Sequence, residues 1–288
     1  MNDSQAALAQ SLARIAAAVQ ALAAGLAPPV ARGADPAEGD WFVWSEGALR
    51  RVPRPRTTPL ALFQGVDAQR AALVENVRRH GAGLPAHDVL LWGARGMGKS
   101  SLVRAVHAAA TDAASGPVAL VQVAREDVAG LARLFERLAD IDRPFTVFLD
   151  DLAFAASGAE VHALRALLDG GIEARPEQVR LMVTSNRRHL LPSTLAAADA
   201  DDANPPDANP RDTRDDQLAL ADRFGLRLGF HNCDQPTYLA MCSAYAAAHG
   251  LAFDPAAALA FAAGRGARSG RVAWHFIVDA AGAQRVRP

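Results

Sequence analysis

The short apolar run Asp88-Val-Leu-Leu-Trp92 leads directly into Gly93-Ala-Arg-Gly-Met-Gly98-Lys99-Ser100, and the helix-forming stretch Ser101-Leu-Val-Arg-Ala-Val106 follows at once. No other feature restricts the fold as much, because a buried strand, a glycine turn and a helix in immediate succession build a parallel sheet covered by helices. The turn satisfies G-x-x-x-x-G-K-[ST] at every fixed position. Lys99 is the only lysine in 288 residues, the other 29 of the 30 lysine and arginine side chains being arginines. Arginine presents a rigid planar fork, whereas a compact lysine ammonium can fold over a phosphate chain from beneath a tight loop. With this composition a chance match to the pattern arises in about one chain per thousand.

The loop residues Gly93, Arg95, Gly96, Met97, Gly98, Lys99, Ser100 and Ser101 are therefore candidates for holding a nucleotide. Backbone N–H groups from Gly96 to Ser101 can point inward at phosphates, and the N-terminus of the following helix adds its positive dipole end. Lys99 would reach the β- and γ-phosphates and Ser100 would offer its hydroxyl to Mg²⁺. Such a site needs a carboxylate on a neighbouring strand tip, and Thr146-Val-Phe-Leu-Asp150-Asp151 is an apolar strand ending in two. Asp150 is the candidate metal holder. Asp151 either orients and deprotonates an attacking water or caps the next turn.

Hydrophobic residues make up 50% of the chain and charged residues 21%, a globular balance whose alanine content favours helices. The length suits one large domain or a core with a small partner. A formal charge of −1 provides no overall field for DNA or a membrane surface. Cys233 and Cys242 make no disulfide framework and suit a reducing compartment. No apolar run approaches a membrane span, and the start Met1-Asn2-Asp3-Ser4 lacks the basic segment of a secretion signal. A cytoplasmic protein is expected. His231, Cys233 and Cys242 have no ligand spacing, so core packing is their expected role.

Three regions follow from the patterning. Residues 1–59 read as an N-terminal helix and linker. Leu8, Leu12, Ile15, Val19, Leu22 and Leu26 repeat at heptad spacing, a stripe that packs on its own core or on a partner helix. Residues 27–40 read as a linker, 41–44 as a short strand, and 50–56 as a connector carrying four arginines among prolines, with nucleic acid or an acidic partner as the alternative use. Residues 60–234 alternate helix and strand: helices at 67–80, 100–110, 127–139 and 161–168, strands at 88–92, 118–123, 145–149, 179–184 and 226–230. This predicts an α/β core with a five-stranded parallel sheet and helices on both faces. Residues 199–216, rich in aspartate and proline, cannot bury enough surface to offset ordering and read as a disordered insertion. Residues 235–288, with helices at 237–249, 255–263 and 272–280, form a small all-helical lid.

The segments FQGVDAQRAALVENV, WGARGMGKSSLVRAV, FLDDLAF, GGIEARPEQV, TSNRRHL, LADRFGLRL and ARSGR together resemble an AAA+ P-loop ATPase over residues 60–278. Within that superfamily the chain is most similar to the bacterial group called domain of unknown function 815. The resemblance implies ATP and Mg²⁺ as ligands. It places Asn186 as the sensor 1 residue that positions the lytic water and Arg223 as an arginine finger inserted by a neighbouring subunit. Arg271 takes the place of the sensor 2 residue in the lid, with Arg268 one helical turn away as its rival, and Gly65 and Val66 lie near the adenine. A finger supplied in trans makes hydrolysis depend on assembly, so a homo-oligomer, a ring or partial ring, is implied.

Two departures from the superfamily's pattern qualify the activity. Asp151 stands where a catalytic glutamate is usual, which implies slow turnover, and the segment 124–128 has no pore-loop aromatic. Gly170–Pro176 is expected beside the nucleotide face, either as a turn with a Glu173/Arg175 pair or as a relay to a partner. The function expected is a slow Mg²⁺-dependent ATPase that couples ATP binding and hydrolysis to remodelling or recruiting a macromolecular partner, with an unknown protein as the expected client. A nucleotide switch with little hydrolysis and a helicase-loader-like protein are the alternatives.

Overall fold

A computed structural model describes residues 33–111, 118–152, 168, 175–186 and 219–285. The heptad helix, the acidic stretch 199–216 and all of the expected helix 161–168 except Leu168 lie outside these residues. The described chain from Asp35 onward belongs to one compact unit.

Strand β1 (Trp41–Ser45) and strand β2 (Ala48–Arg51) form a hairpin. Helix α1 (Asp67–Gly81), strand β3 (Val89–Gly93), helix α2 (Lys99–Thr111), strand β4 (Ala119–Val123), helix α3 (Leu131–Ala139), strand β5 (Phe145–Leu149), strand β6 (Val179–Ser185) and strand β7 (Leu226–Phe230) follow. Helices α4 (Gln235–Ala248), α5 (Pro255–Gly264) and α6 (Gly270–Gln284) complete the chain. The sheet has seven strands in the order β2-β1-β4-β5-β6-β3-β7, not the five expected. Every pairing is parallel except β1 with β2.

The two additional strands precede the expected core: β1 covers the short strand expected at 41–44, which joins the sheet, and β2 runs into the arginine connector. Glu46 and Gly47 both have positive φ, 53° and 70°, and join Ser45 to its partner Ala48 as a two-residue turn, the connection whose twist suits a hairpin. Phe42, Trp44 and Leu49 then bury on one face, and β1 pairs in parallel with β4 from Trp41↔Leu120 to Trp44↔Val123. β3 and β5 are buried at every position, as sheets covered on both faces require. Helix α3 begins later than expected, because Arg125–Gly130 winds as a 3₁₀ segment and Gly130 stands at the N-cap. From there Leu131, Leu134, Phe135 and Leu138 bury on one helical stripe.

The three C-terminal helices begin at side-chain caps. Asp234 accepts from Thr237 N at 2.8 Å, Asp254 from Ala256 N at 2.9 Å, and Ser269 Oγ from Val272 N at 3.3 Å. Pro236 and Pro255 sit in the first turns of α4 and α5, where their missing N–H costs nothing. α4 packs against both α5 and α6.

Arg175 corrects one expectation. Its Nη1 lies 2.7 Å from Asp88 Oδ2, at the amino end of β3, and Asp88 Oδ1 also accepts from Leu181 N. A segment that enters a parallel strand lies at the amino end of the sheet, so 175–178 are at the opposite end from the glycine turn.

Candidate active site

The carboxyl ends of β3, β5 and β6 open into a cavity of about 790 Å³ bounded on its far side by α4 and α6, at the strand end where parallel sheets place their ligands. The glycine turn is shaped by its neighbours. Gly93 has φ 115°, and a Cβ there would stand 2.2 Å from Phe230 O, the carbonyl that accepts from Ala94 N at 2.6 Å. Gly96 has φ 77°, and a Cβ there would meet Ser269 Oγ at 3.0 Å and Arg271 Cβ at 3.3 Å. Arg271 N donates to Gly96 O at 3.1 Å. The start of α6 is thus seated on the turn, and only glycine leaves room for it.

Lys99 opens α2 and is 5% exposed. Its Nζ donates to Gly93 O at 2.9 Å, Ala94 O at 2.8 Å and Asn186 Oδ1 at 2.9 Å. Burial pushes Lys99 down to about 8, against the pull of Asp151 and Asp150; Arg271 and Arg95 act in the same direction as burial. An anion arriving in the cavity would favour the charged form.

One residue later Ser100 Oγ donates to Asp150 Oδ1. Thr184 Oγ1 donates to the same oxygen at 2.7 Å and accepts from Asp151 N at 2.8 Å. Asn186 Nδ2 donates to Asp151 Oδ1, and Asp151 itself has φ 55°, a conformation that aspartate tolerates better than most side chains. Arg104, one turn beyond Ser100 on α2, brings Nη1 to 4.0 Å from Asp150 Oδ2.

Of the expected residues, Arg95, Gly96, Met97, Gly98, Lys99, Ser100, Ser101, Val66, Asp150, Asp151, Asn186 and Arg271 line this one cavity. Gly93 lies behind it under Lys99. Gly65 is not in the lining: it packs on α4, where a Cβ would stand 2.3 Å from Thr237 Cγ2. Arg223 also lies away from the cavity lining, its Nη1 donating to Ala219 O at 2.8 Å. Arg268 lines a separate cleft with Asn232 and Cys233, whereas Arg271 lines the cavity. Cys233 and Cys242 are buried, and burial pushes the Cys233 thiol up to about 11.

Sequence reasoning missed three contributors. Thr184 precedes Asn186 by two positions on β6, and its role arises from the β5–β6 register, in which Leu149↔Val183 brings Asp150 beside it. Arg104 carried the signal of a basic residue one helical turn past Ser100. The third is the apolar wall of Phe63, Tyr245 and Trp274, where the Tyr245 and Trp274 rings meet edge-on at 5.6 Å. That wall lies in the same cavity as the phosphate-type groups.

The DUF815 family pattern, described as "Protein of unknown function", matches residues 37–284. The chain belongs to the DUF815 family. The matched span of this DUF815 chain includes β1 and β2 as well as α4, α5 and α6. No curated protein matches it. Among solved structures, Aeropyrum pernix Orc1 in complex with DNA is similar at a TM-score of 0.52 and 18% identity, covering 73% of this chain and 57% of that one. The Thermotoga maritima RuvB Holliday junction branch migration motor is similar at 0.45 and 20%, covering 76% and 62%. The DUF815 chain thus spans less than two thirds of the length of either. The fold is of the AAA+ α/β type, a mostly parallel sheet with helices. No helix among the described residues is long and apolar enough to cross a membrane.

Proposed function

We propose that this chain binds ATP with Mg²⁺ in the 790 Å³ cavity and hydrolyses it slowly to ADP and phosphate, coupling the cycle to remodelling or recruiting a macromolecular partner. The observation that carries this reading is the convergence of Lys99, Ser100, Asp150, Asp151 and Asn186 with the lid residue Arg271 on one cavity. The donor set fits the ligands. Ser100 and Asp150 already touch through hard oxygens of the kind Mg²⁺ selects, and Lys99 is a buried cation where water screens little. Bound magnesium supplies charge neutralisation on the phosphates.

In this reading Lys99 turns from Asn186 Oδ1 to the β- and γ-phosphates, which frees Asn186 to position the attacking water. Asp151 accepts the proton from that water, and Arg271 reads the γ-phosphate from the lid. Val66 and the Tyr245/Trp274 wall hold the base, with Gly65 letting the chain approach α4. Arg223, outside the cavity in its own chain, acts in the cavity of a neighbouring copy in a homo-oligomer.

A second reading is supported by Asp151. Its carboxylate already accepts from Asn186, and its arm is one methylene shorter than a glutamate. ATP binding that seats the lid with negligible turnover would then make the protein a nucleotide switch. Phosphate release measured against protein concentration separates the two: a rate per copy that rises with concentration and collapses in Arg223→Ala supports the shared-site ATPase. Tight ATP binding with negligible release at all concentrations supports the switch.

A further inference from the structure

Among the described arginines, two groups contrast. Those on α1 and at the sheet ends are paired: Arg70 with Asp67 at 2.5 Å, Arg78 and Arg79 with Glu75 at 2.8 Å, Arg143 with Asp40 at 2.9 Å and Arg175 with Asp88 at 2.7 Å. Arg50, Arg51, Arg54 and Arg56 are all exposed, and among the described residues their side chains have no ion-pair or hydrogen-bond partner. They occupy the outer strand of the sheet and the proline-containing strap that leaves it. Between residues 41 and 59 the only acidic side chain is Glu46, at the tip of the hairpin. Thr57, Thr58 and Pro59, which continue the strap, line the main cavity.

We propose that the Arg50–Arg56 strap is a docking surface for the phosphate backbone of duplex nucleic acid, read without regard to base sequence. The four guanidinium groups, Arg50 and Arg51 reaching from opposite faces of the edge strand and Arg51 lying against Gly39 between Glu38 and Asp40, supply both charge and the fork geometry that matches phosphate oxygens. The seven residues span up to about 20 Å, over which one strand of a duplex presents about six phosphates. An acidic protein surface fits less well, because a protein interface is organised around a buried apolar or aromatic anchor. The large hydrophobics exposed among the described residues are Val74, Leu84, Trp274 and Val278, and none belongs to the hairpin or the strap. A single strand fits less well too, since its binding needs aromatic platforms for the bases; in the hairpin Phe42 and Trp44 are buried and the half-buried Trp41 packs edge-on against His107. This inference does not depend on nucleotide hydrolysis. The strap's continuity with the cavity wall is its only link to that reading.

The test is fluorescence anisotropy of the full chain with a labelled 30-base-pair DNA duplex, in parallel with a 30-mer of deoxythymidine and a polyglutamate peptide, without nucleotide. With four phosphates neutralised, the duplex dissociation constant is expected to rise about 100-fold between 50 and 200 mM salt. The variant R50A/R51A/R54A/R56A is expected to lose that binding and flatten the salt dependence, while R50K/R51K/R54K/R56K retains both. Circular dichroism checks that both variants fold, and Lys99→Ala is expected to bind the duplex like the parent, which separates this surface from the cavity. No duplex binding at 50 mM salt, or equal binding by the alanine variant, would overturn the proposal. So would polyglutamate bound as tightly as the duplex, or the single strand bound more tightly than the duplex.

Discussion

Thr184 is 1% exposed, and its one hydroxyl serves both aspartates, donating to the Asp150 carboxylate and accepting from the Asp151 amide. Thr184→Val keeps the shape and removes both bonds. At about 1–3 kcal/mol for a buried partner left unmade, phosphate release is expected to fall roughly 5- to 150-fold. ATP affinity measured without magnesium is expected to stay at the parental value, and Thr184→Ser to recover most of the rate. Parental turnover in the valine variant would show that the clamp has no part in positioning the aspartates. Gly96 gives a second test at this scale. A side chain at φ 77° costs about 1–2 kcal/mol and would also displace Ser269 and Arg271, so Gly96→Val is expected to weaken ATP binding about tenfold or more, read by calorimetry. The glycine loop and its strand tip were legible because their chemistry is local: fixed spacing puts Lys99 and Ser100 in one turn, and an apolar strand ending in carboxylates announces itself. Thr184 was not legible, because it becomes functional only when β5 and β6 pair in one particular register.

At the scale of elements, α1 and α2 each carry a buried histidine against the sheet layer. His80 Nε2–H donates to Phe145 O of β5 at 2.9 Å, and His107 Nδ1–H donates to Val103 O at 3.0 Å. Burial pushes both down to about 4, below the ordinary value of 6.5. The unfolded chain therefore binds more protons between pH 6.5 and 4, so stability is full above that window and is lost as pH falls through it. From pH 7 to pH 5 the loss is about 2 kcal/mol for each histidine. Urea unfolding at the two pH values, with His107→Met as control, is expected to show a shallower pH dependence in the variant; identical slopes would contradict the assignment. The core strands and the C-terminal helices were readable from their apolar patterning, whereas the Asp234, Asp254 and Ser269 caps that start those helices were not singled out. Strand β2 was not readable, since Ala48–Arg51 buries only Leu49 fully and carries two exposed arginines. The Glu46-Gly47 turn was its only local signal. Arg175 was misplaced for a topological reason, because no local pattern tells a strand's entry from its exit.

For the molecule as a whole, the arrangement separates Arg223 from the cavity while bringing Arg271, Arg95 and Arg104 to it. On the reading in which Arg223 acts in a neighbouring copy, the site is expected to need that second copy. Phosphate release per copy should rise with protein concentration, and Arg223→Ala should lower it by at least about 1,000-fold, the lower end of what such an arginine contributes. A rate per copy independent of concentration, with Arg223→Ala at parental activity, would place catalysis within a single chain. All of these consequences depend on whether the cavity clasps a triphosphate at all. Isothermal titration of Mg²⁺-ATP into the parent and into Lys99→Ala measures that directly. The expected result is one ATP per chain in the parent and, with a charge-assisted contact removed from a buried site, affinity weaker by about 100-fold in the variant. Equal affinity in the two proteins, or no binding by the parent, would contradict the account.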